Sequence, residues 1–137
     1  MLKGYESRES AARVLEVDVT VEKIECKTGS QKAKAAAKGN YTLNVALSER
    51  RRRPDGLTLG FKLEIMEESD AASITFDGAA RVTGTEKEID DSISVPPGKT
   101  TPAVVEMIYE KLYGLVYILA TSMKVPHPLP NLVKKNP

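Results

Sequence analysis

Apolar and polar residues alternate along four segments of the chain, with the period of two that is typical of half-buried β-strands. The positions expected to face the core are, strand by strand, Leu15, Val17, Val19 and Val21; Tyr41, Leu43, Val45 and Leu47; Leu57, Leu59, Phe61, Leu63 and Ile65; and Ile74, Phe76, Gly78, Ala80 and Val82. In the first segment the alternation slips at Glu22 and Lys23, because Ile24 and Cys26 continue it on even positions. This slip predicts a β-bulge or a bend.

The connections between the segments favour antiparallel pairing. Pro54, Asp55 and Gly56 form a turn signature, since proline presets φ and glycine supplies a position with φ above zero. Sequential hairpins of this kind predict an antiparallel meander. Residues 27–40 are polar and rich in Ala and Lys, so we expect a flexible surface loop over about residues 28–39, with room for a short helical turn.

A long apolar helix is predicted after the strands. Thr101 can cap its start and Pro102 suits its first position. On a helical wheel its aliphatic arc comprises Val104, Val105, Ile108, Leu112, Leu115, Val116 and Leu119, with Tyr109, Tyr113 and Tyr117 beside it and Met107 and Ile118 nearly opposite. Such a helix is too apolar for the surface of a monomer. We therefore expect the aliphatic arc to pack on the sheet and the tyrosines to form an oligomer interface, of a kind in which tyrosine is enriched.

The helix should end before Pro126, because proline disfavours the helical conformation in the residue that precedes it. An extended tail with further prolines at 128 and 130 follows. The predicted fold class is α+β, a four-stranded antiparallel meander sheet packed by one long C-terminal helix. The chain of 137 residues should form a single domain, with an ordered core over about residues 12–132.

Composition and charge narrow the class of protein. With 41% hydrophobic and 28% charged residues the chain is an ordinary globular protein, and a net charge of +1 gives no global attraction to nucleic acid. A single cysteine and a charged N-terminal segment favour the cytoplasm. The longest uncharged apolar stretch, residues 112–123, falls short of the roughly 20 residues that span a bilayer.

The sequence offers little for catalysis or metal binding. His127 and Cys26 could meet as base and nucleophile, but no residue is apparent that would orient the imidazole. We therefore interpret Cys26 as a small core residue. The acidic residues Glu86, Glu88, Asp90 and Asp91 lack the glycine and spacing of a calcium loop and are interpreted as a solvated charge run. We therefore expect no enzyme activity, no catalytic residue, no metal and no cofactor.

Two basic segments suggest an alternative, a protein-interaction or nucleic-acid-binding module. They comprise Lys32, Lys34 and Lys38, and Arg50, Arg51, Arg52 and Arg53. Arginine suits phosphate contacts, but in a meander these segments lie at opposite ends of the sheet. No aromatic platform accompanies them. Nucleic acid is therefore the less favoured partner.

The order of these elements resembles the SecB-like chaperone family over residues 15–132. The resemblance rests on the strands at 41–45 and 61–65, the segment 74–84, and the stretch from Leu119 through Val125, Pro126, His127, Pro128, Leu129 and Pro130 to Leu132. It implies a cytosolic holdase that assembles as a dimer or a dimer of dimers and binds unfolded polypeptides without a cofactor, in some members for protein export.

By this resemblance, the polypeptide-binding groove should be lined by the helix and the tail. The expected groove residues are Leu115, Leu119, Met123, Leu129 and Leu132, with methionine suited to adaptable contacts. Export chaperones of this kind carry a further helix and an acidic C-terminus that engages the translocase motor, whereas this chain ends Val133, Lys134, Lys135, Asn136 and Pro137. This ending fits a related member that serves a different client, or a SecB-like module with no export role, better than a chaperone that docks to that motor.

Overall fold

A computed structural model describes residues 15–132 of the chain. The predicted core began at about residue 12, so residues 12–14 lie outside the described part. In chain order the elements are β1 (Glu16–Thr28), α1 (Gln31–Ala36), β2 (Tyr41–Arg53), β3 (Gly56–Glu67), β4 (Ala72–Thr83), α2 (Glu86–Ile93) and α3 (Ala103–Ser122). The predicted strands, the possible helical turn at α1 and the long helix are all present.

The four strands form one antiparallel sheet in the order β1-β4-β3-β2. The α+β class with a C-terminal helix is therefore confirmed, but the sequential meander holds only for β2, β3 and β4. β1 pairs with β4 instead of β2. Residues 29–40, which include α1, cross the end of the sheet and connect β1 to β2 on the opposite edge. This order gives the two central positions to β3 and β4, which are largely buried, and leaves the more exposed strands β1 and β2 at the edges.

The predicted bulge in β1 is confirmed. The register with β4 shifts between Val21 and Lys23, so that Val21 lies opposite Gly78 and Ile24 lies opposite Phe76. Because one extra residue moves the following side chains to the other face, odd-numbered residues face the core before the bulge and even-numbered residues face it afterwards. A second shift, between Glu49 and Arg51 in β2, was not predicted.

The core lies between one face of the sheet and the inner side of α3. The buried residues of α3 are Val104, Val105, Ile108, Tyr109, Leu112, Val116 and Ala120. Except for Ala120, they pack against Leu57, Leu63, Phe76, Ala80 and Val82 of the central strands, among others. Ala120 instead packs with Ala71, Ala72 and Val125 in a second, smaller cluster, so the core consists of a main cluster and a small satellite.

Cys26 is exposed, so its prediction as a small core residue is wrong. It lies beyond the bulge on the edge strand β1, where Ile24 is also 41% exposed. Both residues have the inward register that the sequence predicted, opposite Ile74 and Phe76. An edge position leaves them uncovered on one side, a feature that strand periodicity does not reveal.

Gly78 allows the backbone of Thr20 and the ring of Phe61 to lie close to its own backbone in the centre of the sheet. A Cβ atom at this position would come within 2.2 Å of the carbonyl oxygen of Thr20 and 3.0 Å of the ring of its cross-strand partner Phe61. Such distances are far inside van der Waals contact. The phenylalanine ring therefore fills the space that a larger residue would occupy.

The acidic stretch forms the helix α2, which was not predicted from the sequence. Thr85 accepts a hydrogen bond from the amide of Glu88, and the Glu88 carboxylate accepts one from the amide of Thr85, which together form a capping box. Ile89 and Ser92 are buried, so one face of α2 joins the core. The charges are nonetheless on the solvent side, where Asp90 pairs with Arg52 and Asp91 with Lys87.

Candidate functional site

The C-terminal end of α3 reverses the chain. The amide of Val125 donates to the carbonyl of Ala120 and the amide of Lys124 donates to that of Thr121, the two bonds of a Schellman motif. Lys124 has φ of 61°, a left-handed conformation that is usually filled by glycine at this position. At the N-terminal end of α3, Pro102 rather than the predicted Thr101 is the N-cap residue, and no side chain caps the helix there. The reversal at Lys124 sends the tail back along α3.

Tyrosine hydroxyls hold the tail, residues 125–132, against the domain. Tyr109 donates to the carbonyl oxygen of Leu129 at 2.7 Å and Tyr113 to that of Pro128 at 3.0 Å. Tyr41, the first residue of β2, donates to the carbonyl oxygen of Pro126 at 2.7 Å. We call these three side chains the tyrosine clamp. Its donors reach three carbonyls within four successive residues of the tail.

His127 and Tyr117 extend the same contact. The two rings lie 4.6 Å apart between centroids, and Nδ1 of His127 is 3.2 Å from the hydroxyl oxygen of Tyr113. Positions 109, 113 and 117 are one helical turn apart and face residues 129, 128 and 127 respectively. The tail therefore runs antiparallel to α3.

Burial favours the protonated, hydrogen-bond-donating form of the clamp. It raises the pKa of Tyr41 to about 12, with the nearby Glu67 carboxylate acting in the same direction. Burial raises the pKa of Tyr109 further still, and the neighbouring Tyr113 and Tyr41 act in the same direction. Burial and the neighbouring Tyr117 also raise the pKa of Tyr113. All three hydroxyls thus remain donors well above neutral pH.

Apolar contacts anchor both ends of the tail. Val125 packs with Ala71, Ala72 and Ala120 in a small cluster that also meets Ala33 and Ala37 beside α1. Leu132 is 9% exposed and belongs to the main core. The tail is therefore part of the folded domain, and α1 helps to hold its first residue.

The solvent side of α3 is apolar between Gly114 and Ile118. Ile118 is 59% exposed, Tyr117 46% and Leu115 40%, and Gly114 lies among them with nothing near its Cβ position. We call Gly114, Leu115, Tyr117 and Ile118 the outer face. Residues 112–123 contain no charged side chain, so Lys111 and Lys124 bracket the outer face. The tail residue Leu129 adds a further apolar side chain that is 43% exposed.

The predicted groove residues divide between surface and interior. Leu115 and Leu129 are exposed, Leu119 and Met123 are partly buried against the core, and Leu132 is buried. In this arrangement Leu132 supports the tail from below and has little surface with which to contact a client. The groove role of all five residues stays a prediction.

The predicted interface tyrosines also differ in exposure. Tyr109 is 1% exposed, Tyr113 is partly buried and Tyr117 is 46% exposed, so Tyr117 has the most surface for another subunit. Tyr109 is occupied by the tail within its own chain. Sequence reasoning placed Tyr41 in the core and considered His127 only as a possible base, so it missed the contact of Tyr41 with the tail and that of His127 with α3. It gave no role to Ile118, although the helical wheel had already set that residue opposite the aliphatic arc.

The two basic segments lie at opposite ends of the sheet, as their place before and at the end of β2 requires. Arg50 pairs with Glu22, and Arg52 pairs with Glu49 and Asp90. Within residues 15–132, no ion pair engages the three arginines that line a cavity of about 190 Å³ beside Thr58, namely Arg51, Arg53 and Arg81. A small basic cleft therefore lies at the end of the sheet where β2 ends.

Residues 15–132 contain no group of three or more His, Cys, Asp or Glu side chains placed to hold a metal ion. No helix in the same range is long and apolar enough to cross a membrane.

Comparison with known proteins gives a likeness of fold. No protein-family model matches the chain, and no curated protein matches it either. A protein of unknown function from Streptococcus agalactiae has 13% identity over 84% of this chain and 96% of its own, with a TM-score of 0.39. The SecB-like chaperone Rv1957 of Mycobacterium tuberculosis, solved with a ChAD peptide from the antitoxin HigA1, has a TM-score of 0.52, 15% identity and coverage of 84% of this chain and 83% of its own. The sheet and long helix described above thus have the fold of a SecB-like chaperone.

Proposed function

We propose that this protein is a SecB-like holdase, which binds unfolded or non-native polypeptides, export precursors among them, and keeps them from aggregating. The observation that carries the proposal is the exposed, uncharged outer face of α3, together with the exposed side chain of Leu129 on the tail. Monomeric proteins rarely expose such a surface unless it binds something. The SecB-like fold of the chain supports the same conclusion.

The chemistry of the outer face suits a client without a fixed sequence. Burying apolar area provides a free-energy gain of roughly 25 cal/mol per Å² and has no directional requirement. Leu115 and Ile118 could each meet an aliphatic or aromatic client side chain, while Met123 at the end of α3 can change rotamer to fit it. Rv1957 binds a peptide from an antitoxin. That complex supports polypeptide as the ligand class.

Aggregation of an unfolded client tests the proposal. A model enzyme is diluted from guanidinium chloride with and without the protein, and light scattering is followed. We expect equimolar protein to suppress most of the scattering, and the double variant Leu115→Ser with Ile118→Ser to lose most of that effect. Val95→Ser is the matched control, since Val95 is 51% exposed but lies between α2 and α3.

If the client scatters light equally with and without the native protein, the holdase proposal is wrong. Equal loss in the control variant would show that general surface hydrophobicity, rather than the outer face, is responsible. Circular dichroism of each variant excludes loss of folding as the cause.

We further propose that the protein forms a homo-oligomer through the tyrosine side of α3, with Tyr113 and Tyr117 at the contact and Tyr109 supporting them from within the chain. Packing of a second subunit would cover part of the apolar surface that the isolated chain leaves exposed. The molar mass from multi-angle light scattering at micromolar concentration tests this directly. A monomer at that concentration contradicts it.

The alternative, an interaction module that binds nucleic acid, rests on the cleft formed by Arg51, Arg53 and Arg81. If nucleic acid were the ligand, binding of a labelled oligonucleotide should weaken steeply with salt. The double variant Arg51→Ala with Arg53→Ala should abolish it, whereas Lys32→Ala at the opposite end should not. We expect no such binding at 150 mM salt.

A further inference from the structure

The tail is an unusual stretch of backbone, because it offers hydrogen-bond acceptors and few donors. Pro126, Pro128 and Pro130 have no amide hydrogen, so alternate positions can only accept. The residue before each proline is restricted to extended conformations. Such a segment cannot complete a β-ladder, and it is best matched by a surface that presents donors.

The tyrosine clamp is a surface of that kind. Three hydroxyls from β2 and α3 donate to the carbonyls of Pro126, Pro128 and Leu129 at 2.7 to 3.0 Å. Tyr117 adds an aromatic ring against His127. Rings that provide flat apolar walls and donate to backbone carbonyls are the general means by which proteins bind extended proline-rich segments.

We propose that the clamp is a binding site for extended proline-containing segments of other polypeptides, and that the tail is its intramolecular occupant. Almost all the hydrogen bonds use backbone carbonyls, so the site selects backbone conformation and the spacing of prolines more than side-chain identity. A client segment would enter as the tail leaves. This inference rests on the proposed polypeptide binding and specifies one class of client.

Competition by the tail sets the observed affinity. Only molecules whose tail has left the clamp can bind an external segment. The apparent dissociation constant is the intrinsic one divided by the fraction of such molecules. Leu132 anchors the end of the tail but is not one of the clamp residues. Weakening that anchor should therefore strengthen the binding of an external segment without altering the clamp itself.

The test uses the full chain and a fluorescein-labelled peptide with the sequence of residues 125–132, followed by anisotropy. We expect weak binding to the native chain and about tenfold tighter binding to Leu132→Ser, as loss of a buried leucine shifts the tail toward release. A second peptide, in which the three prolines are replaced by alanine, should bind several-fold more weakly to the same variant. Equal affinity for the two peptides would overturn the proposal.

Two variants that remove a single tyrosine hydroxyl, both in the Leu132→Ser background, distinguish hydrogen bonding by the clamp from nonspecific apolar binding. Tyr109→Phe keeps the ring and should lower affinity about threefold to tenfold by removing one hydrogen bond. Tyr117→Phe is the matched control, since no hydrogen bond joins its hydroxyl to any residue in the described range 15–132. Identical effects of the two substitutions would refute the role of the clamp.

A second route avoids dependence on Leu132→Ser, should that variant fold poorly. Replacing Pro126, Pro128 and Pro130 by alanine in the chain itself weakens its own tail, so the native peptide should again bind more tightly than it does to the native chain. Unchanged affinity would contradict the proposal.

The outcome is distinguishable from that of the holdase test. A chain that suppresses aggregation but does not bind the peptide refutes only the clamp inference. A chain that binds the peptide but leaves aggregation unchanged refutes only the holdase.

Discussion

The phenolic oxygen of Tyr109 lies 2.7 Å from the carbonyl oxygen of Leu129. This bond joins the middle of α3 to the tail across 20 residues of sequence. The Tyr109 side chain is almost fully buried, and a buried hydroxyl without a partner is costly. The hydrogen bond therefore determines both how the tail lies and which surface of α3 remains exposed.

Replacing Tyr109 by phenylalanine should destabilise the protein by about 1 kcal/mol, the usual net value of one such hydrogen bond. The loss should be no larger, because the Leu129 carbonyl also accepts from the amide of Leu132. Urea unfolding followed by circular dichroism measures the change. Tyr117→Phe is the control and should leave stability within error. A fall of several kcal/mol would mean that the ring, and not the hydroxyl, has been disturbed.

Stability should decline at alkaline pH. Burial raises the pKa of Tyr41 to about 12 and also raises that of Tyr109 and Tyr113, so the folded chain keeps protons that the unfolded chain releases near pH 10. Because the unfolded state then binds fewer protons, its free energy falls relative to the folded state as pH rises. The contribution of Tyr41 should be complete below about pH 10 and lost between about pH 10 and 12, while that of Tyr109 should persist to still higher pH.

Urea unfolding at pH values from 8 to above 11 tests that dependence, with tyrosinate absorbance as a second signal. The variant Tyr41→Phe should show a shallower decline, since one of the three groups no longer contributes. A flat profile in the native protein would mean that these hydroxyls are not protected as the structure describes.

Lys124→Gly should stabilise the protein. Lys124 has φ of 61°, and a left-handed conformation costs a residue with Cβ roughly 1 kcal/mol relative to glycine. Thermal or urea unfolding should show a gain of that order, reduced by the greater flexibility of glycine in the unfolded chain. Ser122→Gly, two residues earlier in the last turn of α3, should instead destabilise it. A loss in both variants would rule out the Schellman geometry.

The elements themselves could be predicted from sequence because each has a local period. The strands, the bulge after Val21 and the length of α3 follow from side chains that lie two to four positions apart. The helix α2 could also have been found, since Thr85 followed by Glu88 three residues later is a capping-box signature. Because most residues of this segment are charged, its buried side, formed by Ile89 and Ser92, was hard to recognise from the sequence.

The order of the strands and the site could not be predicted in this way, since both depend on contacts between distant residues. β1 pairs with β4 over sequence separations from 44 residues, for Thr28 and Ala72, to 67 residues, for Glu16 and Thr83. This pairing puts Cys26 on an exposed edge strand. Tyr41 meets Pro126 across 85 residues. The three tyrosines of α3 looked like a surface for another subunit because no local pattern shows that the tail returns to cover Tyr109.

Gly114 offers a test of where a second subunit packs. It is exposed on the outer face with open space around its Cβ position, between the partly buried Tyr113 and the exposed Tyr117 and Ile118. In the isolated chain Gly114→Gln should raise stability by about 0.5–1 kcal/mol, because glycine is a poor helix former in an exposed position. In an oligomer that uses this face, the longer side chain should separate the subunits.

With the client on the outer face and the second subunit on the tyrosine side of α3, we expect Gly114→Gln to leave the molar mass measured by light scattering at micromolar concentration unchanged, while the thermal stability rises. A lower mass would mean that subunits pack across the outer face. Glu110→Gln, one turn earlier on α3 and also exposed, is the matched control and should leave the mass unchanged. If the mass of Gly114→Gln equals that of the native protein, subunits do not pack across the outer face. In that case the outer face remains free for the client even in the assembled protein, and the serine variants of Leu115 and Ile118 should change aggregation without changing mass.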